Sequence, residues 1–174
     1  MQLEKLYLDM DGVLADFNQC LRDFGVVDNE THFIHKPRAE WTPSQVDLDA
    51  RVRGVMELED FWPSIPPMRD AYELWDYCKQ FDVHILTATP NVTEWRDRIA
   101  QQKREWIQRT FGPFPADKIH VCLRSEKAAL AGPYNLLVDD MPQNCLDWNA
   151  AGGHAILHTS AADTIKMLRE IYHG

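Results

Sequence analysis

The chain has no C-x-x-C pair and no cysteine–histidine spacing of a zinc module. Its four cysteines, Cys20, Cys78, Cys122 and Cys145, stand far apart, and they read as reduced thiols. A secretory pattern is missing as well. The chain opens MQLEK and reaches an acidic pair by residue 11, without a charged-then-apolar leader. No apolar run approaches the ~20 residues that a bilayer span requires, so a soluble, cytoplasmic protein is expected. Basic charge is scarce: 18 Lys and Arg against 27 Asp and Glu leave a formal net charge of −9. That disfavours a general nucleic-acid binder, which needs a basic face to release counterions from phosphates. It does not exclude a small anion met by local positive charge from a metal, a lysine or backbone N–H groups. Repeats and low-complexity tracts are absent, and Gly152-Gly153 lacks a P-loop lysine pattern and marks a helix end.

What is present is one domain's worth of chain. The 174 residues are 45% apolar and 26% charged, the composition of a globular unit with room for a modest insertion. A first strand runs from Lys5 to Leu8. A helix over 16–24 sets Phe17, Leu21 and Phe24 on one face. Periodicity then lapses to about Arg38, and His32 and His35 there read as a loop feature rather than a metal pair. Thr42-Pro43-Ser44-Gln45 is a helix start, with an N-cap Thr, Pro at the first helical position and Gln at the third. That helix extends to about Leu58, and PSIPP (63–67) stops the chain. Beyond it the pattern alternates: helix 69–80, strand 83–86, a long charged helix 93–110, apolar runs 119–123, 135–138 and 155–158, and a closing helix 162–172. Strands alternating with helices predict a doubly wound parallel sheet with its site at the carboxyl ends of the strands. The predicted division is a catalytic core of 1–17 and 66–174 with a small helical cap, 18–65, inserted after the first strand.

Each strand end carries chemistry. The first gives Asp9 and Asp11 followed by Gly12, the strand VHIL gives Thr87, and NLLV gives Asp139 and Asp140. Lys127 lies between, in RSEKAAL, at the expected start of a helix. Lys118 and Lys103 are its rivals, but Lys103 lies within the long charged helix, where a solvated face is the usual meaning. The set suits phosphoryl transfer. A carboxylate can attack phosphorus to form an acyl phosphate, and a second acid can protonate the leaving oxygen and then take a proton from water. Two unit charges ~4 Å apart repel by about 4 kcal/mol at an effective dielectric near 20. A phosphate therefore needs help to approach these acids, and Mg²⁺ with hard oxygen ligands supplies it. Lys127 would neutralise phosphoryl charge and the Thr87 hydroxyl would donate to a phosphate oxygen. Gly12 would let the loop aim backbone N–H groups at the same oxygens.

The order D-x-D-G-V, Thr, Lys, D-D resembles the haloacid dehalogenase superfamily over nearly the whole chain. DMDGVLADF, FWPSIPP, WIQRTFGPF and NLLVDD make it most similar to the 5′(3′)-deoxyribonucleotidase family. The resemblance implies a three-layer Rossmannoid core with a helical cap, and a Mg²⁺-dependent phosphomonoesterase acting on (deoxy)ribonucleoside monophosphates. It casts Asp9 as nucleophile and Asp11 as general acid/base. The metal would take Asp9, the Asp11 carbonyl and Asp140, with Asp139 binding directly or through water. Thr87 and Lys127 would hold the phosphate. Where the family places a serine after the threonine, this chain has Thr87-Ala88-Thr89-Pro90, so the Ala88 N–H or the Thr89 hydroxyl would stand in. Phe17 is the expected base contact, with Trp41 and Trp62 in the lid. The partner expected is a small phosphate ester, with neither nucleic acid nor membrane, and a homodimer stays open. A sugar phosphate is the nearest alternative substrate. A nucleic-acid end phosphatase is disfavoured by charge, and a phospho-receiver domain by the position of D-x-D-G-V on the first strand rather than a middle one.

Overall fold

The computed structural model describes residues 3–27 and 38–173; His32 and His35 lie outside them. Five strands form one parallel sheet in the order β3-β2-β1-β4-β5. They are β1 (Lys5–Leu8), β2 (Val83–Thr89), β3 (Ile119–Leu123), β4 (Asn135–Asp139) and β5 (His154–Leu157). The helices are α1 (Phe17–Asp23), α2 (Pro43–Met56), α3 (Phe61–Ser64), α4 (Ala71–Cys78), α5 (Thr93–Phe111), α6 (Pro142–Ala150) and α7 (Ala161–His173). The doubly wound α/β architecture expected from the alternating pattern is the one observed. Strand β2 runs three residues further than its apolar stretch, through Thr87, Ala88 and Thr89. Lys127 lies inside a 3-10 helix, Arg124–Leu130, rather than at the start of an α-helix.

Strand alternation divides the core. Leu6 and Leu8 of β1 join the large apolar cluster with Leu74 of α4, Ile99 and Trp106 of α5 and Leu168 of α7. Tyr7 points the other way, into a smaller cluster with Leu86, Leu137 and Trp148 of α6. The sheet is therefore covered on both faces, as buried parallel strands require. Register then sets the site. Leu8 pairs with Ile85 and with Val138, so Asp9 and Asp139 leave the sheet side by side and Thr87 lies one step further along β2.

The segment between β1 and β2 leaves and returns at one point. Asp16 N–H donates to Pro66 O and Met68 N–H to Leu14 O, each at 2.8 Å. Within the segment, α2 begins at the Thr42 capping box, with Pro43 at its first position, and it ends at Met56, two residues short of the expected Leu58. No residue of α2 is fully buried; Leu48, Val52, Val55 and Met56 rest partly buried against the core. Helix α5 grips the stretch from Glu57 to Ile65. Arg98 donates to Glu57 O at 2.5 Å, Gln102 to Glu59 O at 2.7 Å, Trp106 to Ile65 O at 2.7 Å and Arg109 to Pro63 O at 2.6 Å.

Candidate active site

The turn after β1 is built on Gly12. Its φ of +81° is a conformation that side chains disfavour. Leu14 and Ala15 N–H both donate to Met10 O at 2.8 Å, and Gly12 N–H donates to Ala15 O at 2.8 Å. The Asp16 carboxylate then caps α1 through Gln19 N–H at 2.8 Å. A Cβ at position 12 would run into the Asp140 carboxylate, so the glycine is also what lets the first and fourth strand ends approach.

Asp9, Asp139 and Asp140 each offer a carboxylate oxygen, all within 4.8 Å of one another. Lys127, 3% exposed, bridges two of them, with Nζ 2.9 Å from Asp9 Oδ1 and 2.7 Å from Asp139 Oδ2. Burial would lower its ammonium, but Asp9 and Asp139 outweigh that and hold it above the ordinary lysine range. Asp139 is saturated. It also accepts from Met141 N–H at 2.9 Å and from the Asn144 amide at 2.9 and 3.0 Å. Asp140 is the opposite case, since its buried Oδ1 has no partner among the described residues. Burial first, then Asp139 and Asp11, push its carboxyl up to about 7. Asp9 is likewise raised well above the usual carboxylate range, by burial first and by Asp139, Asp140 and Asp11, with Lys127 opposing. The contacts of Asp9 with Met10 N–H, at 2.8 Å, and with Lys127, at 2.9 Å, both fall on Oδ1, and Oδ2 accepts no hydrogen bond among the described residues.

A second buried lysine completes the site. Lys103 of α5 is 0% exposed. Its ammonium donates to Asp11 Oδ2 and, at 2.9 Å, to Thr87 Oγ1, and it lies 4.4 Å from the centroid of the Trp62 ring. Position 103 is therefore not the solvated face expected of a charged helix; the structure corrects that reading. It gives Lys127 the contacts with Asp9 and Asp139, and it makes Lys103 a second cation of the site rather than a rival. The other oxygen of Asp11, Oδ1, is buried and unpartnered among the described residues.

Above these groups lies a cavity of about 430 Å³. Phe17, Val52, Met56, Trp62 and Trp95 form its apolar wall, Asp11, Ala88 and Thr89 its floor, and Asp49, Arg53, Asn91 and Arg124 its polar edge. Phe17 and Trp62 stand where a lid contact was expected, packed on each other and on Phe61 at centroid distances of 5.3–5.8 Å. Trp62 is anchored by its Nε1–H, which donates to Met56 O at 3.1 Å. Trp41 lies off the cavity lining, with the Arg38 guanidinium 5.4 Å over its ring. Thr89, on the same strand face as Thr87, is 6% exposed and donates at 3.5 Å to Cys122 O. Trp95, Arg53, Arg124 and Asn144 escaped the sequence reading. Only Asn144 left a signal, as an amide four residues after the D-D pair.

No protein-family model matches the chain. Among curated proteins, mouse mitochondrial 5′(3′)-deoxyribonucleotidase is 27% identical over 149 residues, covering 79% of this chain and 64% of that protein. The chain thus spans about two-thirds of its relative's length. Among solved structures, the HAD hydrolase YfnB of Bacillus subtilis, bound to magnesium, aligns at TM-score 0.57 and 11% identity over 98% of this chain and 99% of that one. A haloacid dehalogenase-like hydrolase of Streptococcus pneumoniae aligns at 0.55 and 12% over 94% and 90%. The fold is that of the haloacid dehalogenase-like hydrolases. Among the described residues no helix is long and apolar enough to cross a membrane.

The site's geometry can be tested at Gly12 and at Asp140. Gly12→Ala meets both the φ barrier, about 1–2 kcal/mol, and the Asp140 carboxylate; a lower Tm is expected, and a Mg²⁺ ion held by Asp140 would bind at least about tenfold more weakly, read by thermal denaturation and calorimetry. Retained Mg²⁺ affinity would mean that Asp140 has room to move. At Asp140 the variable is pH. Its carboxyl ionises near ~4 in the unfolded chain but near 7 when folded, so between these values the unfolded chain holds fewer protons than the native one. Stability of the metal-free protein then falls as pH rises through this window. A divalent cation beside the carboxylate would reverse that cost, so a gain in Tm on adding Mg²⁺ should be larger at about pH 8 than at about pH 5. Equal gains at both would exclude Asp140 as ligand.

Proposed function

We propose that the chain is a Mg²⁺-dependent phosphomonoesterase that works through a phosphoryl group carried on Asp9, with residues 18–65 acting as its cap. The observation that carries this reading is the division of labour among the acids. Asp139 is consumed by protein donors, Asp140 has an oxygen without one, and Asp9 takes the Met10 N–H and its Lys127 contact on Oδ1. Asp9 and Asp140, with the Asp11 backbone carbonyl, would hold the ion. Two negative charges remain after Lys103 and Lys127 are set against Asp9, Asp11, Asp139 and Asp140, which suits a hard dication with oxygen ligands. When bound, Mg²⁺ supplies the charge neutralisation that lets a phosphate dianion approach the acids.

The chain's own groups account for the rest. Asp9 Oδ2 attacks phosphorus, the bond to the ester oxygen breaks, and the leaving oxygen takes a proton from Asp11, whose carboxylate takes that proton up from solvent as the phosphate binds. In the second half, water attacks the acyl phosphate and gives its proton to Asp11, which frees Asp9. Lys127 balances phosphoryl charge from beside Asp9, and the Thr87 hydroxyl and the Ala88 N–H bind equatorial oxygens. Lys103 holds Asp11 against Thr87 and fixes which of its oxygens faces the leaving group. The cavity fits a nucleoside, for which sites of ~300–1,000 Å³ are usual, and its Phe17, Trp62 and Trp95 rings offer stacking surface. The similarity to a deoxyribonucleotidase supports the same substrate class.

The reading is tested by phosphate release from ribo- and deoxyribonucleoside monophosphates and sugar phosphates, with and without Mg²⁺. Asp9→Asn should reduce turnover by about 10³-fold or more while the protein stays folded. Fastest release from sugar phosphates would keep the mechanism and overturn the nucleotide assignment. A further prediction isolates Lys103. Lys103→Met should lower kcat on nucleotides by about 10²-fold, but lower it much less on p-nitrophenyl phosphate, whose leaving group needs no proton. Equal losses on both substrates would show that Lys103 serves the phosphate or the fold rather than Asp11.

A further inference from the structure

Beside that cavity lies a second one of about 440 Å³, between α5 and β3, whose lining includes Thr89, Arg96, Asp97, Arg104, Leu123 and Glu126. The two adjoin. Thr89 lines both. Arg96, in the second cavity, donates at 3.0 Å to Asn91 of the first. Arg124, on the edge of the first, sits in sequence between Leu123 and Glu126 of the second. Each cavity lies within the usual size range of a small-molecule site.

The polar groups of the second cavity indicate its occupant. Arg104 and Arg124 make no ion pair or hydrogen bond among the described residues, although both face the paired cavities. Arg96 contacts only a neutral amide, and its Nε–H is buried with no acceptor. Three guanidiniums without a carboxylate partner are therefore gathered here, in a chain whose net charge is −9. Two acids share the lining. Glu126 already accepts from Leu123 N–H at 2.8 Å, and Asp97 is exposed, where solvent and salt screen its repulsion. Arg96 and Arg104 are half-buried and Arg124 is exposed; half-buried guanidinium donors are matched by the planar oxygens of phosphate or carboxylate.

We infer that this cavity is an anion subsite of the same cleft, taking a second phosphate on the substrate while the first is held at Asp9. The substrate class narrows to phosphomonoesters that carry a further anionic group on the leaving-group side, of which nucleoside 3′,5′-bisphosphates are the nearest chemical form. The inference rests on the phosphomonoesterase reading, and the experiment keeps the two apart. The wild-type protein with Mg²⁺ is assayed on matched nucleoside 5′-monophosphates and 3′,5′-bisphosphates, with sulfate added in a separate arm. Release from the monophosphate alone establishes the phosphomonoesterase. The subsite is then read from the ratio of kcat/KM values, bisphosphate over monophosphate, which should be tenfold or more and arise from KM. In Arg104→Ala the ratio should collapse toward one, and Arg104→Lys, which keeps the charge, should restore part of it. Calorimetric binding of both nucleotides to Asp9→Asn gives the same comparison without turnover. A ratio near one in the wild type, or one that Arg104→Ala leaves unchanged, overturns the inference. So does stimulation of monophosphate hydrolysis by sulfate that disappears in Arg104→Ala, because the anion would then be a separate effector.

Discussion

Four carboxylates brought to one end of a parallel sheet form the constraint that the rest of this molecule answers. Asp9 and Asp139 are buried and Asp11 and Asp140 half-buried, and each ionised pair a few ångströms apart opposes folding by several kcal/mol at interior dielectrics. The chain meets this with two buried ammonium groups placed at different depths. Lys127 works between the first and fourth strands, and Lys103 reaches in from α5 to the acid of the turn. Asp139 shows what full compensation looks like, with an ammonium, a backbone N–H and a side-chain amide on its two oxygens. Asp140 shows what is left over. Gly12 belongs to the same account, because only a residue without a side chain lets Asp140 come close to the turn that carries Asp11.

Helix α5 explains how a segment with a poorly buried long helix holds a fixed place above the site. Arg98, Gln102, Trp106 and Arg109 recur every three or four residues, and each donates to a backbone carbonyl between Glu57 and Pro63 or to Ile65. That stretch contains turns and the short α3, so its carbonyls lack the partners that a long helix would supply. The face next to this stripe carries Ile99 and Lys103 inward. One helix thus supports the covering segment and delivers a cation to the acids beneath it.

The same helix marks where the sequence stops being legible. Strand ends, their order, the turn at Gly12 and the cap of α2 could be read because each rests on local chemistry: alternation, a D-G turn, a T-P-S-Q start. The place of Lys127 in the site followed from order along the chain once the sheet was assumed, but as a phosphate contact; its pairing with Asp9 and Asp139 did not. Lys103 did not follow, because a charged residue among Arg, Gln and Glu looks the same whether it faces water or carbonyl groups supplied by a distant loop. Its acceptors, Asp11 and Thr87, are 92 and 16 residues away. Arg98 and Arg109 were obscure for the same reason, since their acceptors are main-chain oxygens that no side-chain pattern reports. Trp95, Arg53 and Arg124 meet Phe17 and Trp62 only through the return of the covering segment at 66–68, and no periodicity encodes that.

The position of Lys103 also ties the covering segment to Asp11. Removing an ammonium from water costs several kcal/mol even after relaxation. The Trp62 ring, at 4.4 Å, offsets up to about 2 kcal/mol of that in a desolvated setting, and the Thr87 hydroxyl returns about 1.5–3 kcal/mol as a hydrogen bond to a charged group. Neither suffices alone, and the Asp11 carboxylate has to supply the balance. The ammonium is therefore held jointly by a ring from the covering segment and a carboxylate from the core. Trp62 is in turn fixed by its hydrogen bond to Met56 O, at the end of α2 and on the wall of the cavity. A displacement of that wall acts on Asp11 through two contacts, Trp62 to Lys103 and Lys103 to Asp11, so that in the proposed mechanism the position of the cavity wall and the alignment of Asp11 would be set by one chain of packed groups.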